Sequence, residues 1–432
     1  MLLFIQFLQE CVQSPFPRTL YPEDSAYCQF FSQNGLNRWF KELLNNNTFN
    51  ITNQKMPDIK TSIDLGVTQI DVFFTDIIVK DFSVKDVKFL FKGGKTAPFN
   101  LIDARFVLQL NWKIQQTSYP YLTDAGTGKI IVSETGCSTI FGAECDYETC
   151  PNHLLATILH AELQIGNIRV LLEGGTSWLY QSMINLVLGV LQTELQKIIS
   201  HFISKSLVDV LNAVFQEYTS FKHLESDYSI IKDERFVAPL MIEDGYAYLL
   251  FSGYTYHMDN TLDEYMTKDK LNPITYNRFN TPMQFIFSQA AFNNIYYIYH
   301  KYQNLYSHEL FQVIDPPKLE IMNHAALLTL KLLVNSTNVE MKLKGSPRHY
   351  NDQNPDHKHK LTIAFDYTVY ETQEMPSINI AELEQLVEQH INFQMQNSVM
   401  VMINSELYHA TDFMIILDSV DKVVRLVHNN YE

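Results

Sequence analysis

From Trp178 to about Tyr218 the chain carries a long apolar stretch at helical spacing, and segments of polar–apolar alternation run into it. Met183, Leu186, Val187, Val190, Leu191, Ile198, Phe202 and Ile203 form one broad greasy face that must be covered. Gly174-Gly175 precede it, and Thr176 or Ser177 is its N-cap. The covering surface is legible upstream. In Arg105–Gln115, Phe106, Leu108, Leu110, Trp112 and Ile114 alternate with Val107, Gln109, Asn111, Lys113 and Gln115, which predicts a strand with one apolar and one wet face. Val87, Phe89 and Phe91 repeat the pattern, as do Ala161, Leu163 and Ile165. Ile168, Val170 and Leu172 resume it in shifted register, which predicts a bulge or turn at Gly166-Asn167. Such a helix on such a sheet encloses either a solid core or a space for hydrocarbon.

The same plan occurs twice. Asn34–Asn45 reads as a first helix, and Asp124-Ala125-Gly126-Thr127-Gly128 as a hairpin turn. After the long helix, residues 219–234 are polar and mixed in charge, as expected of a linker. The second half opens with strands at Phe236–Met241 and Tyr246–Tyr256. A helix at Met283–Tyr302 follows, then alternating strands, a helix at Ile380–Ser405 and a closing hairpin, Phe413–Leu417 with Val423–Val427. With 432 residues, too many for one ordinary core, the expected division is an N-terminal segment 1–30, one domain over 31–218 and another over 235–432. The fold class is α+β. The halves agree in element order, not in visible sequence identity.

The net charge of −16 is a poor match for a phosphate backbone, so nucleic acid is not an expected partner. One basic stretch stands out: Lys80, Lys85, Lys88, Lys92 and Lys95, diluted by Asp81 and Asp86. It reads as a solvated hairpin or, through Lys85, Lys88, Lys92 and Lys95, as a contact for anionic headgroups at one tip. Cys137, Cys145 and Cys150 cluster without zinc spacing and, in an oxidising compartment, would form one disulfide among themselves; Cys11 and Cys28 pair or stay free. Leu2–Leu8 is either a short signal-peptide core lacking a preceding Lys or Arg, or an apolar first element. Asn46, Asn50 and Asn335 begin glycosylation triplets. These features put the chain in the secretory lumen or outside the cell. No stretch reaches the ~18 uninterrupted apolar residues of a spanning helix.

No catalytic motif emerges. Gly126-Thr127-Gly128-Lys129 lacks the earlier glycine of a phosphate loop and has Ile130 where Ser or Thr is required. There is no nucleophile elbow and no zinc-protease helix motif. His349, Asp356, His357 and His359 read as a solvated hairpin tip rather than a metal site, and no cysteine has a neighbouring histidine in sequence. The chain is expected to be non-enzymatic, with no cofactor.

Met283-Gln284-Phe285, Phe292-Asn293-Asn294 and Tyr299-His300 resemble the segment that opens the second domain's main helix in the family of bactericidal/permeability-increasing protein, lipopolysaccharide-binding protein and cholesteryl ester transfer protein. The element order also resembles that family. The resemblance implies the tubular lipid-binding fold: two tandem barrels, each a twisted antiparallel sheet wrapped on a long helix, joined by a central sheet into a boomerang. It implies apolar tunnels for acyl chains, lined here by Leu36, Phe40, Phe106, Leu108, Leu110, Trp112, Met183, Val187, Val190, Phe287, Phe292 and Ile295. The family's disulfide between the loop and the long helix has no counterpart, because Trp178–Tyr218 contains no cysteine. The family's strongly basic tip is likewise absent. The expected function is binding or transfer of phospholipid or another acyl lipid, with transient contact to a membrane surface. The alternatives are an innate-defence binder of lipopolysaccharide or other microbial glycolipid, and a β-rich hydrolase.

Overall fold

The computed structural model describes residues 25–45, 52–64, 66, 68–145, 154–175, 177–217, 221–224, 227–258, 275, 279–303, 306–351, 360–373, 379–397, 401–404 and 413–428. In the first half, β1 (Tyr27–Ser32) and α1 (Gln33–Asn45) lead to β2 (Ile59–Asp64), β3 (Gln69–Phe89), β4 (Lys92–Gly94), β5 (Thr96–Gln116), β6 (Thr123–Cys145), β7 (Leu154–Gln164), β8 (Asn167–Glu173) and α2 (Ser177–Glu217). Then come β9 (Phe221–Leu224), β10 (Asp227–Asp233), β11 (Met241–Asp244), β12 (Tyr246–Phe251), β13 (Thr255–His257), β14 (Met283–Ser288) and α3 (Gln289–Ile298), which runs into a π-turn at Tyr299–Gln303. The second sheet and its helix are β15 (Gln312–Val313), β16 (Lys318–Met322), β17 (Ala325–Val334), β18 (Thr337–Asn351), β19 (Lys360–Thr372), α4 (Ile380–Asn397) and β20 (Val401–Asn404). β21 (Phe413–Asp418) and β22 (Val423–His428) close the chain's described part.

The first-half sheet is antiparallel in the order β2-β3-β5-β6-β7, with β8 also on β6. β3 and β5 each run for 21 residues. A flat sheet that long would not close on anything. Register shifts between Thr75 and Ile78 and between Leu101 and Ala104, with positive φ at Asp76, Asp103 and Glu134, bend it into a curled half-barrel. β6 pairs with β8 along one part of its length and with β7 along the other, so the predicted break near Gly166-Asn167 is the turn between those two strands.

The expected hairpin turn at Asp124–Gly128 is not one. These residues lie inside β6, and the turn is at Thr117–Leu122. The glycines serve close approach instead. A Cβ on Gly126 would lie 2.2 Å from the Glu173 carbonyl oxygen and 2.8 Å from the Trp112 indole nitrogen.

α2 lies along β7, an edge strand, and also reaches the other edge strand, β2. Leu191, Leu195, Ile199, Phe202, Ile203, Leu207 and Leu211 form its buried stripe. Beside the stripe, Gln192 Nε2 donates to the Ile165 carbonyl (3.2 Å), Gln196 Nε2 to that of Leu163, and Ser200 Oγ to that of Ala161 (2.7 Å). Four helical residues rise about 6 Å and two strand residues about 6.6 Å, so the two ladders stay in step. The row of side chains satisfies carbonyls that an edge strand otherwise leaves open.

A seven-stranded sheet in the order β21-β22-β14-β1-β12-β11-β4 draws strands from both ends of the chain. Tyr27–Ser32, partly within the expected N-terminal segment, forms an inner strand of this sheet, between β12 and β14. The expected linker 219–234 contains β9 and β10, which join β13 in a three-stranded sheet.

The helix expected over Met283–Tyr302 is corrected: Met283–Ser288 is β14, and α3 begins only at Gln289. All six residues of β14 are buried, so the strand shows no alternation that would betray it. The helix expected over Ile380–Ser405 ends at Asn397, and Val401–Asn404 pairs with β19. The remaining sheet runs β15-β17-β18-β19-β20, with β16 also on β17. No described helix is long and apolar enough to cross a membrane.

Candidate functional site

The inner face of the first-half sheet is predominantly apolar, interrupted on β6 by buried Thr135 and Thr139. Phe106, Leu108, Leu110 and Trp112 of β5 are all buried, as are Val79, Val84, Val87 and Phe89 of β3 and Ile130 and Val132 of β6. Trp112 is also tied at the far end of the sheet: its indole N–H donates to the carbonyls of Thr127 (2.9 Å) and Glu173 (3.2 Å). From α1, Phe40 packs edge-on against Phe89 and Phe99 at 5.3 and 5.1 Å, and Leu36 packs half-buried on the same core. Met183, Val187 and Val190 belong to α2, but their side chains lie outside the described set.

In the second half, Phe292 of α3 sits edge-on to Phe365 of β19 at 5.6 Å, and Ile295 is buried one turn further. Leu328, Leu330 and Leu332 of β17 and Met341 and Leu343 of β18 line the same interior. Phe287 is displaced from its expected setting. It lies on β14, stacked on Tyr27 of β1 at 4.6 Å, and so belongs to the sheet between the halves.

The lysine stretch lies at the end of β3 that leads into the central sheet. Lys85 and Lys88 lie near the end of β3, and Lys92 lies on β4, which pairs with β11 of the central sheet. All four expected contacts, Lys85, Lys88, Lys92 and Lys95, are exposed. Lys85 stands 3.5 Å from the Asp103 carboxylate, and Lys92 is opposite Asp244.

The far end of the sheet, on the order of 60 Å away along the strands, carries something else. The β5–β6 turn presents Tyr119, Tyr121 and Leu122 at 85, 66 and 58% exposure. The turn is braced: Thr117 N donates to the Gln69 carbonyl (2.9 Å), and the hydroxyls of Thr68 and Ser118 meet at 2.6 Å. Sequence reasoning passed over this turn because the glycines of Asp124–Gly128 drew the chain reversal a few residues too late.

Cys137 and Cys28 are both buried and free, so the disulfide expected of Cys137 is absent. Burial pushes the Cys137 thiol up to about 11 and that of Cys28 well above the ordinary range, the latter opposed by Arg425. Both are protonated at neutral pH, which removes them as nucleophiles. The Cys145 side chain and Cys150 lie outside the described residues, as do Asn46, Asn50, Asp356, His357 and His359; Asn335 is exposed at the tight turn between β17 and β18. Among the described residues no group of three His, Cys, Asp or Glu side chains is placed to hold a metal ion.

No family model matches this sequence, and no curated protein does. Among solved structures, lipopolysaccharide binding protein superposes with a TM-score of 0.59 at 13% identity, over 94% of this chain and 98% of that one. Takeout 1 of Epiphyas postvittana aligns over 46% of this chain and 95% of its own at 13% identity, with a TM-score of 0.30. P47 of Clostridium botulinum A2 aligns over 95% and 98% at 8% identity, with a TM-score of 0.21. The fold assignment rests on the first: the chain has a fold like that of lipopolysaccharide binding protein.

Proposed function

We propose that this chain is a non-enzymatic lipid-binding protein that holds acyl chains between sheet and helix in two barrel-like halves, 31–218 and 235–432, and exchanges them with membranes. The observation that carries the reading is the inner face of the first half. It is predominantly apolar along 21-residue strands, far longer than an ordinary core needs, and is bordered by a helix that reaches both sheet edges. Burying one methylene gains about 0.8 kcal/mol, so a long acyl chain leaving water gains on the order of 10 kcal/mol. A lipid leaving a bilayer gains almost nothing, because it is already buried there. Such an interior exchanges lipid with membranes and selects loosely among headgroups.

The membrane contact in this reading is the Tyr119-Tyr121-Leu122 turn. Tyrosine and leucine at a braced, exposed turn suit the interfacial zone of a bilayer. The overall charge of −16 favours a zwitterionic surface over an anionic one. The name of the structural neighbour favours a second reading, binding of lipopolysaccharide. The few, diluted lysines, beside the central sheet at Lys92 and with Lys85 next to Asp103, argue against it. Secretion belongs to the same proposal and is supported by the exposed Asn335 triplet. Native mass spectrometry of protein purified without detergent tests the central claim. Co-purifying phospholipid or other acyl lipid supports it; a clean apo mass, with no uptake from vesicles, overturns it.

A further inference from the structure

Four tyrosines meet inside the second half: Tyr296 of α3, Tyr299 at the start of the π-turn, Tyr306 just after it, and Tyr367 of β19. All are buried. The Tyr296 and Tyr367 hydroxyls stand 2.7 Å apart, and the Tyr306 ring is edge-on to Tyr296 at 5.9 Å. The Tyr306 hydroxyl is fully buried and has no hydrogen-bond partner. A donor left unused in an apolar interior is costly, and natural cores rarely keep one without a reason. In the hydroxyl pair one O–H donates to the other oxygen, so the second O–H is also open. Two unused O–H groups on neighbouring rings are the complement of the two lone pairs of a carbonyl oxygen.

The setting defines the charge of what binds. Burial holds Tyr296, Tyr306 and Tyr367 well above the usual phenol range, reinforced by neighbouring phenols at Tyr296 and Tyr306 and partly opposed by the Tyr296 hydrogen bond at Tyr367, so all stay neutral donors. The basic side chains on either side of the cluster are engaged elsewhere: Lys301 is exposed with its ammonium on the Tyr297 hydroxyl (3.1 Å), His300 Nε2 is on the Val313 carbonyl (2.8 Å), His308 Nδ1 takes the Leu310 N–H (3.3 Å), and the His390 ring stands edge-on to Phe311 and His308. An ionised headgroup there would be buried without a counter-charge. The π-turn supplies the geometry. The extra residue per turn changes the direction in which the chain leaves α3, and such turns recur at binding sites.

We infer that the second half binds the uncharged, oxygen-bearing part of a lipid, an ester carbonyl, on the hydroxyls of Tyr306 and the Tyr296–Tyr367 pair. This rests on the proposed lipid-binding function and narrows it to neutral esters in that half. The test loads the delipidated full chain with methyl stearate, labelled with carbon-13 at the carbonyl, or with eicosane, a hydrocarbon of equal length. In the unmodified protein a fraction of the bound ester is expected to show a carbonyl infrared band shifted down by hydrogen bonding. In Tyr306→Phe that band moves part of the way back toward the free-ester frequency, because the Tyr296–Tyr367 pair still donates, and ester affinity in this half falls about fivefold, the worth of one neutral hydrogen bond, while eicosane binding is unchanged. The double variant Tyr296→Phe/Tyr367→Phe, which removes the pair's open O–H and keeps both ring volumes, is expected to behave likewise and covers the case of a Tyr306 variant that misfolds.

Retention of the full shift in both variants, or equal weakening of ester and hydrocarbon, overturns the inference while leaving lipid binding intact; the orphan hydroxyl then serves only packing or a buried water. Failure of the unmodified chain to bind either probe takes the proposed function down with it.

Discussion

The two halves begin with the same device. Ser32-Gln33 followed by Asn37 leaves β1; Ser288-Gln289 followed by Asn293 leaves β14. Each serine caps its helix, taking the N–H of Gly35 (3.0 Å) or Ala291 (3.3 Å). Each glutamine takes a backbone N–H, that of Phe91 between β3 and β4 (3.0 Å) or of Ile321 in β16 (2.8 Å). Each asparagine takes the N–H two residues earlier, Phe89 or Leu319, both at 2.7 Å. β1 and β14 are antiparallel neighbours, so the two copies leave the central sheet in opposite directions.

The later helices keep the spacing but differ in the balance of their chemistry. α2 mainly donates, through Gln192, Gln196 and Ser200, to carbonyls of β7 and of Ile165 just beyond it, and accepts further along through Asn212 Oδ1 from Ala156 N (2.7 Å). α4 mainly accepts, through Glu388 Oε2 from Val369 N (3.2 Å), Asn392 Oδ1 from Tyr367 N (2.7 Å) and Glu384 Oε1 from the Thr372 hydroxyl (2.6 Å), while Asn392 Nδ2 also donates to the Tyr367 carbonyl (2.7 Å). The helix-to-strand spacing is therefore common to both halves, whereas the side-chain chemistry follows whichever backbone group the strand turns outward.

The largest difference should appear between the paired asparagines. Asn293 is buried and bonds both the amide and the carbonyl of Leu319, the latter at 3.2 Å. Asn37 is half-buried and makes one such bond. Leaving buried backbone groups unsatisfied costs about 1–3 kcal/mol each. Asn293→Leu should therefore lose about 2–4 kcal/mol in urea unfolding, and Asn37→Leu about 1–2 kcal/mol. Equal losses would mean that the halves do not use the motif differently.

A smaller effect separates donor from acceptor rows. Gln196→Glu removes the only donor and sets a carboxylate against the Leu163 carbonyl, which should cost about 1–2 kcal/mol. Glu388→Gln keeps an acceptor oxygen for Val369 and should cost less than about 0.5 kcal/mol. If the two swaps cost the same, the polarity of the rows is incidental.

These rows explain what the sequence did and did not disclose. Arg105–Gln115 was readable because one face is wet, so burial alternates with residue number. β14 was not, because both its faces are covered and a strand buried on both sides shows no period. Phe292-Asn293-Asn294 was recognisable as a family-like signature, but its task was hidden. Asn293 and Asn294 look like an ordinary polar face, and only the fold brings Leu319 and Thr255, 26 and 39 residues later or earlier, against them. The pocket candidates on β5 lie together as their alternation required, whereas Phe287 inherited its misplacement from the misread strand. The lysines were visible as a cluster, but no local pattern encodes which end of a 21-residue strand faces the centre.

That last contrast also predicts membrane behaviour. Replacing Tyr119, Tyr121 and Leu122 together by Ser should weaken association with phosphatidylcholine vesicles about tenfold or more, since even partial burial of three such side chains exceeds about 1.4 kcal/mol. Replacing Lys88, Lys92 and Lys95 by Ala should change it less than about twofold. The opposite ranking in a flotation assay would move the contact to the central end.

The smallest expected effect is at the cysteines, one in the central sheet and one in the first-half sheet. Cys28 lies on the central β1 and Cys137 on β6; both are free and buried. With its thiol held at about 11, Cys137 is roughly a thousandth thiolate at pH 8. Native protein should therefore resist iodoacetamide at both sites and react only after denaturation. The pH dependence has one sign. Below about pH 8.5 the thiol is protonated in both states and contributes no slope. From there to about 11 the unfolded chain releases a proton that the folded one keeps, so stability falls as pH rises. Because Cys137 has no sulfur partner, a reducing agent at neutral pH should leave its contribution to the unfolding midpoint unchanged. A midpoint that drops on reduction, with Cys137 recovered in a disulfide-linked peptide, would show that this cysteine is bonded after all.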